Sequence, residues 1–202
     1  MSEPDDYTAS ETYRKRFAGP VGAWFLAIQA DAVRRVLQGL KIRTVLDVGG
    51  GHAQLTGPLC DAGYEVLTTG SSVRAGHLFQ GRAEGRGYVA SSCMKLPFRT
   101  GTFDAVVSVR MMAHVDEPGR FLKECSRVAR TCVVVDYAWA WGFNAVADLF
   151  FPLKRWVEGD TRHFRRFKRS EVAHLVEEAG LQVVSDAGLF FWPMALHRLH
   201  RR

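Results

Sequence analysis

Hydrophobic side chains recur at three- and four-residue steps between residues 21 and 40. This spacing puts them on one face of a helix, so the segment is predicted to form an amphipathic helix that packs on a core. Residues 1–12 are polar and acidic, and we expect a flexible tail there. Residues 13–202 contain no internal repeat and no Pro/Gly/Ser-rich linker, which indicates a single domain.

After this helix, short apolar runs alternate with helical patterns. The runs 44–48, 65–69, 87–90, 103–109 and 132–136 are predicted to be strands, and 54–61 and 118–128 to be helices. Strands separated by helices indicate βαβ units, and therefore a parallel sheet with right-handed crossovers.

The last part of the chain predicts one more helix and a pair of strands. Ser170 is expected to cap the start of this helix, and Gly180 is expected to end it. The apolar runs 181–185 and 188–192 are close enough in sequence to form an antiparallel hairpin at the edge of the sheet.

Composition excludes several classes of protein without selecting a function. The chain has 202 residues, of which 47% are hydrophobic and 24% are charged. These values suit one domain with its own core and exclude a disordered chain, a collagen-like fibre and a disulfide-dense mini-protein. The formal net charge of +6 suits an acidic partner, but many soluble enzymes carry a similar charge.

The N-terminal sequence and the apolar stretches indicate the cellular compartment in which we expect the protein. The acidic N-terminus is unlike a signal peptide, so we expect a cytoplasmic protein. The longest apolar stretch, 138–153, is interrupted by Asn144 and Asp148 and is shorter than the roughly 20 apolar residues of a membrane span. The four cysteines have neither Cys-x-x-Cys spacing nor a clustered histidine, so no metal site is predicted.

The sharpest local signal is a glycine turn, because it lies where the first strand ends and a helix begins. Gly49, Gly50 and Gly51 follow Asp47 there, and glycines let a ligand approach the main-chain N–H groups closely. The turn lacks the lysine of a Walker A loop and the spacing of a dinucleotide loop. A carboxylate beside it would repel a pyrophosphate and attract an ammonium group, which favours a cofactor that carries an amino acid.

The motifs together resemble the class I S-adenosylmethionine-dependent methyltransferases, specifically the type 11 group that includes ubiquinone and menaquinone biosynthesis enzymes. The resemblance covers roughly residues 44–181 and rests on the segments 45–51, 96–98, 103–108 and 114–128. It implies a Rossmann-like α/β fold with helices on both faces of a seven-stranded sheet. The implied strand order is 3-2-1-4-5-7-6, with strand 7 antiparallel.

The resemblance also implies where the cofactor S-adenosylmethionine would bind. Besides the glycine turn and Asp47, the implied positions are Thr69, Gly70 and Ser71 after strand two, Ser92, Cys93 and Met94 after strand three, Val109 after strand four, and Arg16 before the first helix. The chain departs from the family in two places. Gly70 stands where a carboxylate normally holds the ribose, and Ser92 stands near the usual acidic partner of the adenine.

Catalytic and substrate candidates follow the fourth and fifth strands. His114 is a candidate base or orienting group, and Arg110 a candidate partner for an anionic acceptor. Asp136 and Tyr137 end strand five on the expected substrate side. His163 and Arg165 match a His-x-Arg-x-Phe pattern that type 11 enzymes often carry. Each of these residues could instead have a packing or solvated role.

The segment 138–169 is expected to be an insertion that determines acceptor specificity. Its aromatic first half could be an apolar lid, a core helix or the interface of a homodimer. Its basic second half suits a substrate pocket, a solvated face or RNA. The favoured function is methyl transfer to a small, apolar or aromatic acceptor, with no membrane span. The alternatives are a non-catalytic binding module with the same fold and an RNA methyltransferase, nucleic acid being the less favoured partner.

Overall fold

A computed structural model describes residues 17–50, 53–76, 87–140 and 165–189 of the chain. In chain order these form α1 (Gly19–Leu37), β1 (Thr44–Val48), α2 (Thr56–Asp61), β2 (Glu65–Gly70), β3 (Tyr88–Ala90), β4 (Phe103–Ser108), a 3₁₀ turn (Met112–His114), α3 (Pro118–Val128), β5 (Ala129–Val135) and α4 (Arg169–Glu178). The predicted tail and the middle of the 138–169 insertion lie outside the described residues.

The sheet has the order β3-β2-β1-β4-β5, and every neighbouring pair of strands is parallel. This confirms the predicted α/β architecture with a parallel sheet. The carboxyl ends of the strands therefore meet at one edge, which is where open α/β sheets bind ligands. The centre of the sheet is β1, whose residues pair with β2 on one side and with β4 on the other.

The core has two layers because successive residues of a buried strand face opposite sides of the sheet. Leu46 and Val106 pack on the side of α3 and α4, in a cluster that includes Phe121. Val45 packs on the opposite side, against Leu37 of α1. Both faces of the sheet are thus covered by helices, as the continuous apolar runs of the strands require.

The described residues form five strands, so they do not include the sixth and seventh strands of the expected sheet. Residues 181–189 are in neither a helix nor a strand, so the strand expected at 181–185 is not confirmed by the described residues. The side chains of Val183 and Val184 are 55% and 89% exposed. An apolar run becomes a strand only when a neighbour completes its hydrogen-bond ladder, and residues 190–192 of the expected hairpin lie outside the described residues.

The start of α4 also differs from the expectation. The helix begins at Arg169 with Lys168 in the cap position, so Ser170 lies within the first turn rather than at the cap. Phe167 explains the early start, because its backbone N–H donates to Ala138 O at 2.8 Å and holds the chain extended up to this point. At the other end Gly180 has φ +73°, and its N–H donates to Glu177 O as the helix closes.

Residues 138–140 and 165–169 are the described ends of the 138–169 insertion, and they lie side by side. Trp139 and Phe167 form an isolated parallel bridge, and Ala140 N–H donates to Phe167 O at 2.9 Å. The Arg169 guanidinium lies 5.7 Å from the centre of the Trp139 ring. The two described ends of the segment 138–169 therefore lie at one place in the fold. Among the described residues, no helix combines the length and apolar character needed to cross a membrane.

Replacing Phe121 by alanine is expected to lower the free energy of unfolding by about 3–5 kcal/mol. Phe121 lies on the buried face of α3 and is 0% exposed, so the shorter side chain leaves a cavity under the sheet. Urea unfolding followed by circular dichroism measures the change. Lys123→Ala on the exposed side of the same helix is the control, and equal destabilisation by the two variants would contradict the packing described here.

Candidate active site

The glycine turn after β1 is closed by two side chains that leave no room for a Cβ. Gly49 has φ +78°, a region that favours glycine, and a Cβ there would lie 2.4 Å from Met111 Cγ. A Cβ on Gly50 would lie 2.1 Å from Asp47 Oδ2. The Gly49 N–H donates to Thr69 O at 2.9 Å and ties the turn to β2. Gly51 lies outside the described residues.

A small cleft lies beside this turn at the carboxyl ends of β1, β2 and β3. Its lining is Gly49, Thr69, Gly70, Ser71, Ser91, Cys93 and Met111. The structure thus brings together cofactor positions that the sequence analysis had taken from three separate strand ends. Ser91 and Met111 are additional lining residues that the sequence analysis did not single out.

Ser91 rather than Ser92 lines this cleft. The Ser91 N–H donates to Gly70 O at 2.8 Å and continues the ladder between β2 and β3. Its Oγ is buried and has no hydrogen-bond partner among the described residues. Ser92 Oγ instead accepts a hydrogen bond from Met94 N–H at 3.3 Å within a turn, and Met94 packs against the core. Extending the β2–β3 pairing by one residue would have identified Ser91.

Asp47 lies beneath the glycine turn and is only 2% exposed. Thr56 Oγ1 donates to Asp47 Oδ2 at 3.4 Å and is itself hydrogen-bonded to Thr68 Oγ1 at 2.9 Å. Burial raises the pKa of Asp47 to about 7, and the nearby Arg110 charge and the Thr56 hydroxyl oppose that shift. The residue supports the turn from below, and the residues that line the cleft do not include it.

Arg110 and Asp136, which follow β4 and β5, are brought into direct contact. The Arg110 backbone N–H donates to Asp136 Oδ1 at 2.5 Å, and Arg110 has φ +64°. The Arg110 guanidinium donates to Gln29 Oε1 at 3.4 Å and to Gln54 Oε1 at 2.5 Å, and it lies 4.7 Å from the centre of the Phe17 ring. Burial raises the pKa of Asp136, and Arg110 counteracts part of that rise.

The other candidates occupy different surroundings. Tyr137 packs against the core and makes an edge contact with Phe167, with ring centres 6.5 Å apart. Arg165 forms an ion pair with Glu171 at 2.6 Å. Val109 packs among the core residues on the α1 side, and His114 ends the 3₁₀ turn near the Arg165 backbone. Arg16 and His163 lie outside the described residues.

The end of β2 offers hydroxyl and backbone groups in place of the carboxylate typical of the family. Gly70 ends the strand, between the buried Thr69 and Ser71 in the cleft. Glu65 begins the same strand and forms an ion pair with Arg43 at 2.9 Å, at the opposite edge of the sheet. This carboxylate therefore cannot substitute for the missing one.

Comparison with known proteins gives matches across the whole sheet. A family model described as "Methyltransferase domain" matches residues 46–132. A ubiquinone biosynthesis O-methyltransferase of Sinorhizobium fredii is 27% identical over 167 residues, which cover 78% of this chain and 67% of that protein. An uncharacterized methyltransferase of Mycobacterium sp. (strain JLS) is 35% identical over 88 residues, covering 44% of this chain and 35% of that protein.

Among solved structures, the magnesium protoporphyrin IX methyltransferase of Synechocystis PCC 6803 with bound S-adenosylhomocysteine has a similar fold. The TM-score is 0.73 at 18% identity, and the match covers 91% of this chain and 90% of that chain. At this identity the likeness concerns the fold alone, and it agrees with the strand order of the sheet.

The strand order, the glycine turn and the sequence matches are similar to those of one class of protein, the class I S-adenosylmethionine-dependent methyltransferases. Residues 46–132 are similar to the type 11 methyltransferase domains, and the similar Synechocystis structure holds S-adenosylhomocysteine, the product of the cofactor S-adenosylmethionine.

The residues present fit this cofactor. The cleft is bordered by two glycines, so a ligand can approach the backbone, and the buried Ser91 Oγ faces it without a protein partner among the described residues. A buried hydroxyl without a partner costs about 1–3 kcal/mol, a cost that a polar ligand removes. The cleft therefore offers backbone and hydroxyl groups to a polar ligand, although no carboxylate ends β2.

Proposed function

We propose that this protein transfers a methyl group from S-adenosylmethionine to a small, apolar or aromatic organic acceptor. The observation that carries the proposal is the glycine-bordered cleft at the carboxyl ends of β1, β2 and β3, with the Arg110–Asp136 pair beside it. The similar proteins include a ubiquinone biosynthesis O-methyltransferase and a magnesium protoporphyrin IX methyltransferase, which favours acceptors of this chemical kind.

The chemistry needs little from the protein beyond alignment and exclusion of water. When bound, the cofactor supplies a methyl carbon on a positively charged sulfur. The acceptor donates an electron pair to that carbon while the carbon–sulfur bond breaks, and the bonding electrons stay on sulfur. Most of the rate enhancement in such a displacement comes from holding the two reactants in line.

Two residues are the candidates for contact with the acceptor. Arg110 follows β4 directly, and Met111 next to it lines the cofactor cleft, so the guanidinium lies close to where the reactants would meet. His114 ends the 3₁₀ turn four residues further on and is the candidate base for an acceptor that loses a proton. Asp136 supports Arg110 through the backbone bond, and Tyr137 and Arg165 are assigned to the outer wall of the acceptor pocket.

Methyl transfer can be tested directly with radiolabelled S-adenosylmethionine and a panel of phenols, quinols, aromatic acids, amines and short RNAs. We expect label to appear in at least one small aromatic compound and none in RNA. Label in RNA alone would favour the hypothesis of an RNA methyltransferase. No transfer to any acceptor, combined with clear binding of S-adenosylhomocysteine, would favour the non-catalytic binding module.

The basic residues in the described part of the segment 138–169 give little support to the hypothesis that RNA is the methyl acceptor. Arg165 is paired with Glu171 at 2.6 Å, and Arg169 is paired with Asp186 at 3.1 Å. A charge that is already compensated by a neighbouring carboxylate contributes less to phosphate binding than an uncompensated one. Nucleic acid therefore remains the weaker alternative to a small acceptor.

Replacing Ser91 by alanine is expected to weaken S-adenosylhomocysteine binding about tenfold, because it removes the one buried hydroxyl that lacks a partner among the described residues. The unfolding free energy of the free protein should stay the same or rise slightly. Isothermal titration calorimetry measures the affinity. Ser92→Ala is the matched control, since Ser92 Oγ bonds within its own turn, and a larger loss for Ser92→Ala would reverse the assignment.

A further inference from the structure

Arg110 carries a positive charge that no carboxylate in the described part of the chain contacts. Its guanidinium hydrogen bonds go to the side-chain amide oxygens of Gln29 and Gln54, and both acceptors are uncharged. Asp136 Oδ1 accepts the backbone N–H of Arg110 instead of the guanidinium. The charge therefore lies at the carboxyl edge of the sheet, and its hydrogen bonds to the described residues go to neutral acceptors. Asp47 and Asp136 lie near enough to interact with it electrostatically.

The two nearby acids compensate this charge incompletely. Burial raises the pKa of Asp47 to about 7 and also raises the pKa of Asp136. Near neutral pH each carboxyl thus spends more time protonated than an exposed aspartate does, and supplies less negative charge to its surroundings. A half-buried cation with weak compensation has a strong preference for an anionic ligand.

The guanidinium is also held in a fixed orientation. Gln29 comes from α1 and Gln54 from the residues just before α2, so the two amides anchor different nitrogens from different elements. The Phe17 ring lies over the guanidinium at 4.7 Å and is 8% exposed. An arginine has five N–H donors in a planar fork that matches the two oxygens of a carboxylate, and within the described residues the guanidinium makes two hydrogen bonds.

The backbone at Arg110 agrees with a role in binding. A φ of +64° is uncommon for a residue with a side chain, and it persists where surrounding contacts hold it in place. The bond from its N–H to Asp136 Oδ1 supplies such a contact and joins the loop after β4 to the end of β5. The side chain is thereby directed across the edge of the sheet toward α1.

The backbone of Arg110 lies at the β4 and β5 ends of the sheet, next to Met111 of the cleft. The cofactor cleft lies over the ends of β1, β2 and β3, whereas Arg110 follows β4 and is tied to the end of β5. We propose that Arg110, positioned by Gln29 and Gln54, binds a carboxylate group of the methyl acceptor, so that the acceptors are small carboxylic acids. This inference rests on the proposed function and narrows its substrate class.

Matched acid and amide probes test the proposal on the full chain saturated with S-adenosylhomocysteine. The pairs are benzoate with benzamide and 4-hydroxybenzoate with 4-hydroxybenzamide, and calorimetry or ligand-observed NMR measures their binding. We expect at least one acid to bind the native protein tenfold or more tightly than its amide. Arg110→Gln should remove the preference, since glutamine keeps a polar side chain but carries no charge.

Two further variants test how Arg110 is positioned. Gln54→Glu places a carboxylate against the same guanidinium. The resulting ion pair should compensate the Arg110 charge and reduce the preference for acids over amides. Gln29→Leu should raise the acid's dissociation constant and leave S-adenosylhomocysteine binding within twofold of native. Arg120→Gln, on the exposed side of α3, is the control for a general change of charge and should leave the preference unchanged.

Arg110 could bind the carboxylate of the acceptor or that of the cofactor. Comparing the binding of S-adenosylhomocysteine and 5′-methylthioadenosine distinguishes the two, because only the first compound carries a carboxylate. If Arg110→Gln weakens the first tenfold and leaves the second unchanged, the cofactor's own carboxylate occupies this arginine and the proposal is overturned. Equal binding of acids and amides by the native protein would overturn it as well. Failure of S-adenosylhomocysteine to bind the native protein would reject the proposed function itself, so the two failures are distinguishable.

Discussion

A Gly50→Ala variant is expected to bind S-adenosylhomocysteine at least a hundredfold more weakly than the native protein, a loss of about 3 kcal/mol. The new Cβ would lie 2.1 Å from Asp47 Oδ2 and 2.4 Å from Asp47 Cγ. The carboxylate cannot move away easily, because it is buried and hydrogen-bonded to Thr56. The glycine turn must shift instead, and the turn borders the cofactor cleft. Isothermal titration calorimetry measures the loss.

Two companion variants separate this clash from a general effect of alanine. Gly188→Ala is the matched control, because a Cβ there would have no heavy atom within 4 Å. Asp47→Ala/Gly50→Ala removes the clashing carboxylate, so its unfolding free energy should approach that of Asp47→Ala alone. If Gly50→Ala binds within threefold of the native affinity, the turn is not packed as described.

Asp47→Asn is expected to be more stable than the native protein at pH 8. Burial raises the pKa of this carboxyl from 3.8 to about 7, so the folded protein keeps a proton that the unfolded chain has released. Between about pH 4 and pH 7 the folded state binds more protons, and native stability therefore falls as pH rises. The shift corresponds to a loss on the order of 4 kcal/mol, complete above about pH 7. Asparagine cannot ionise and avoids this loss.

Urea unfolding at pH 5 and pH 8 measures this effect, and Asp104→Asn provides a control of opposite sign. Backbone hydrogen bonds from Thr44 and Arg43 hold the pKa of Asp104 below its usual range. Its contribution to stability is present at neutral pH and is lost as the pH falls through that lowered value, so Asp104→Asn should be less stable than native at pH 7. An Asp47→Asn protein with the native pH profile would show that Asp47 does not carry this shift.

Much of the fold could be predicted because it depends on local pattern. The strands are mostly apolar where they face a helix layer, as Val45, Leu46 and Val106 show, and α3 places Phe121, Leu122 and Cys125 on one face. The glycine turn could be predicted for the same reason, since its residues are consecutive. The run 181–185 has a similar apolar composition, but whether it forms a strand depends on a partner elsewhere in the chain, which composition does not reveal.

The candidate site could be predicted only in part, since contacts between distant residues decide it. Gln29 and Arg110 are 81 residues apart in sequence, and no spacing rule connects them. The choice between Ser91 and Ser92 depends on one step of the β2–β3 register and on which hydroxyl closes the local turn. The predicted site therefore lies at the carboxyl edge of the sheet, and its individual contacts could not be read from the sequence.

The most direct test of the account is a calorimetric titration of the purified chain with S-adenosylhomocysteine, beside the Gly50→Ala variant. If the glycine turn borders the cofactor site, the native protein will bind one ligand per chain saturably at micromolar concentrations, and the variant will show no binding over the same range. Absence of binding by the folded native protein at millimolar ligand would contradict it.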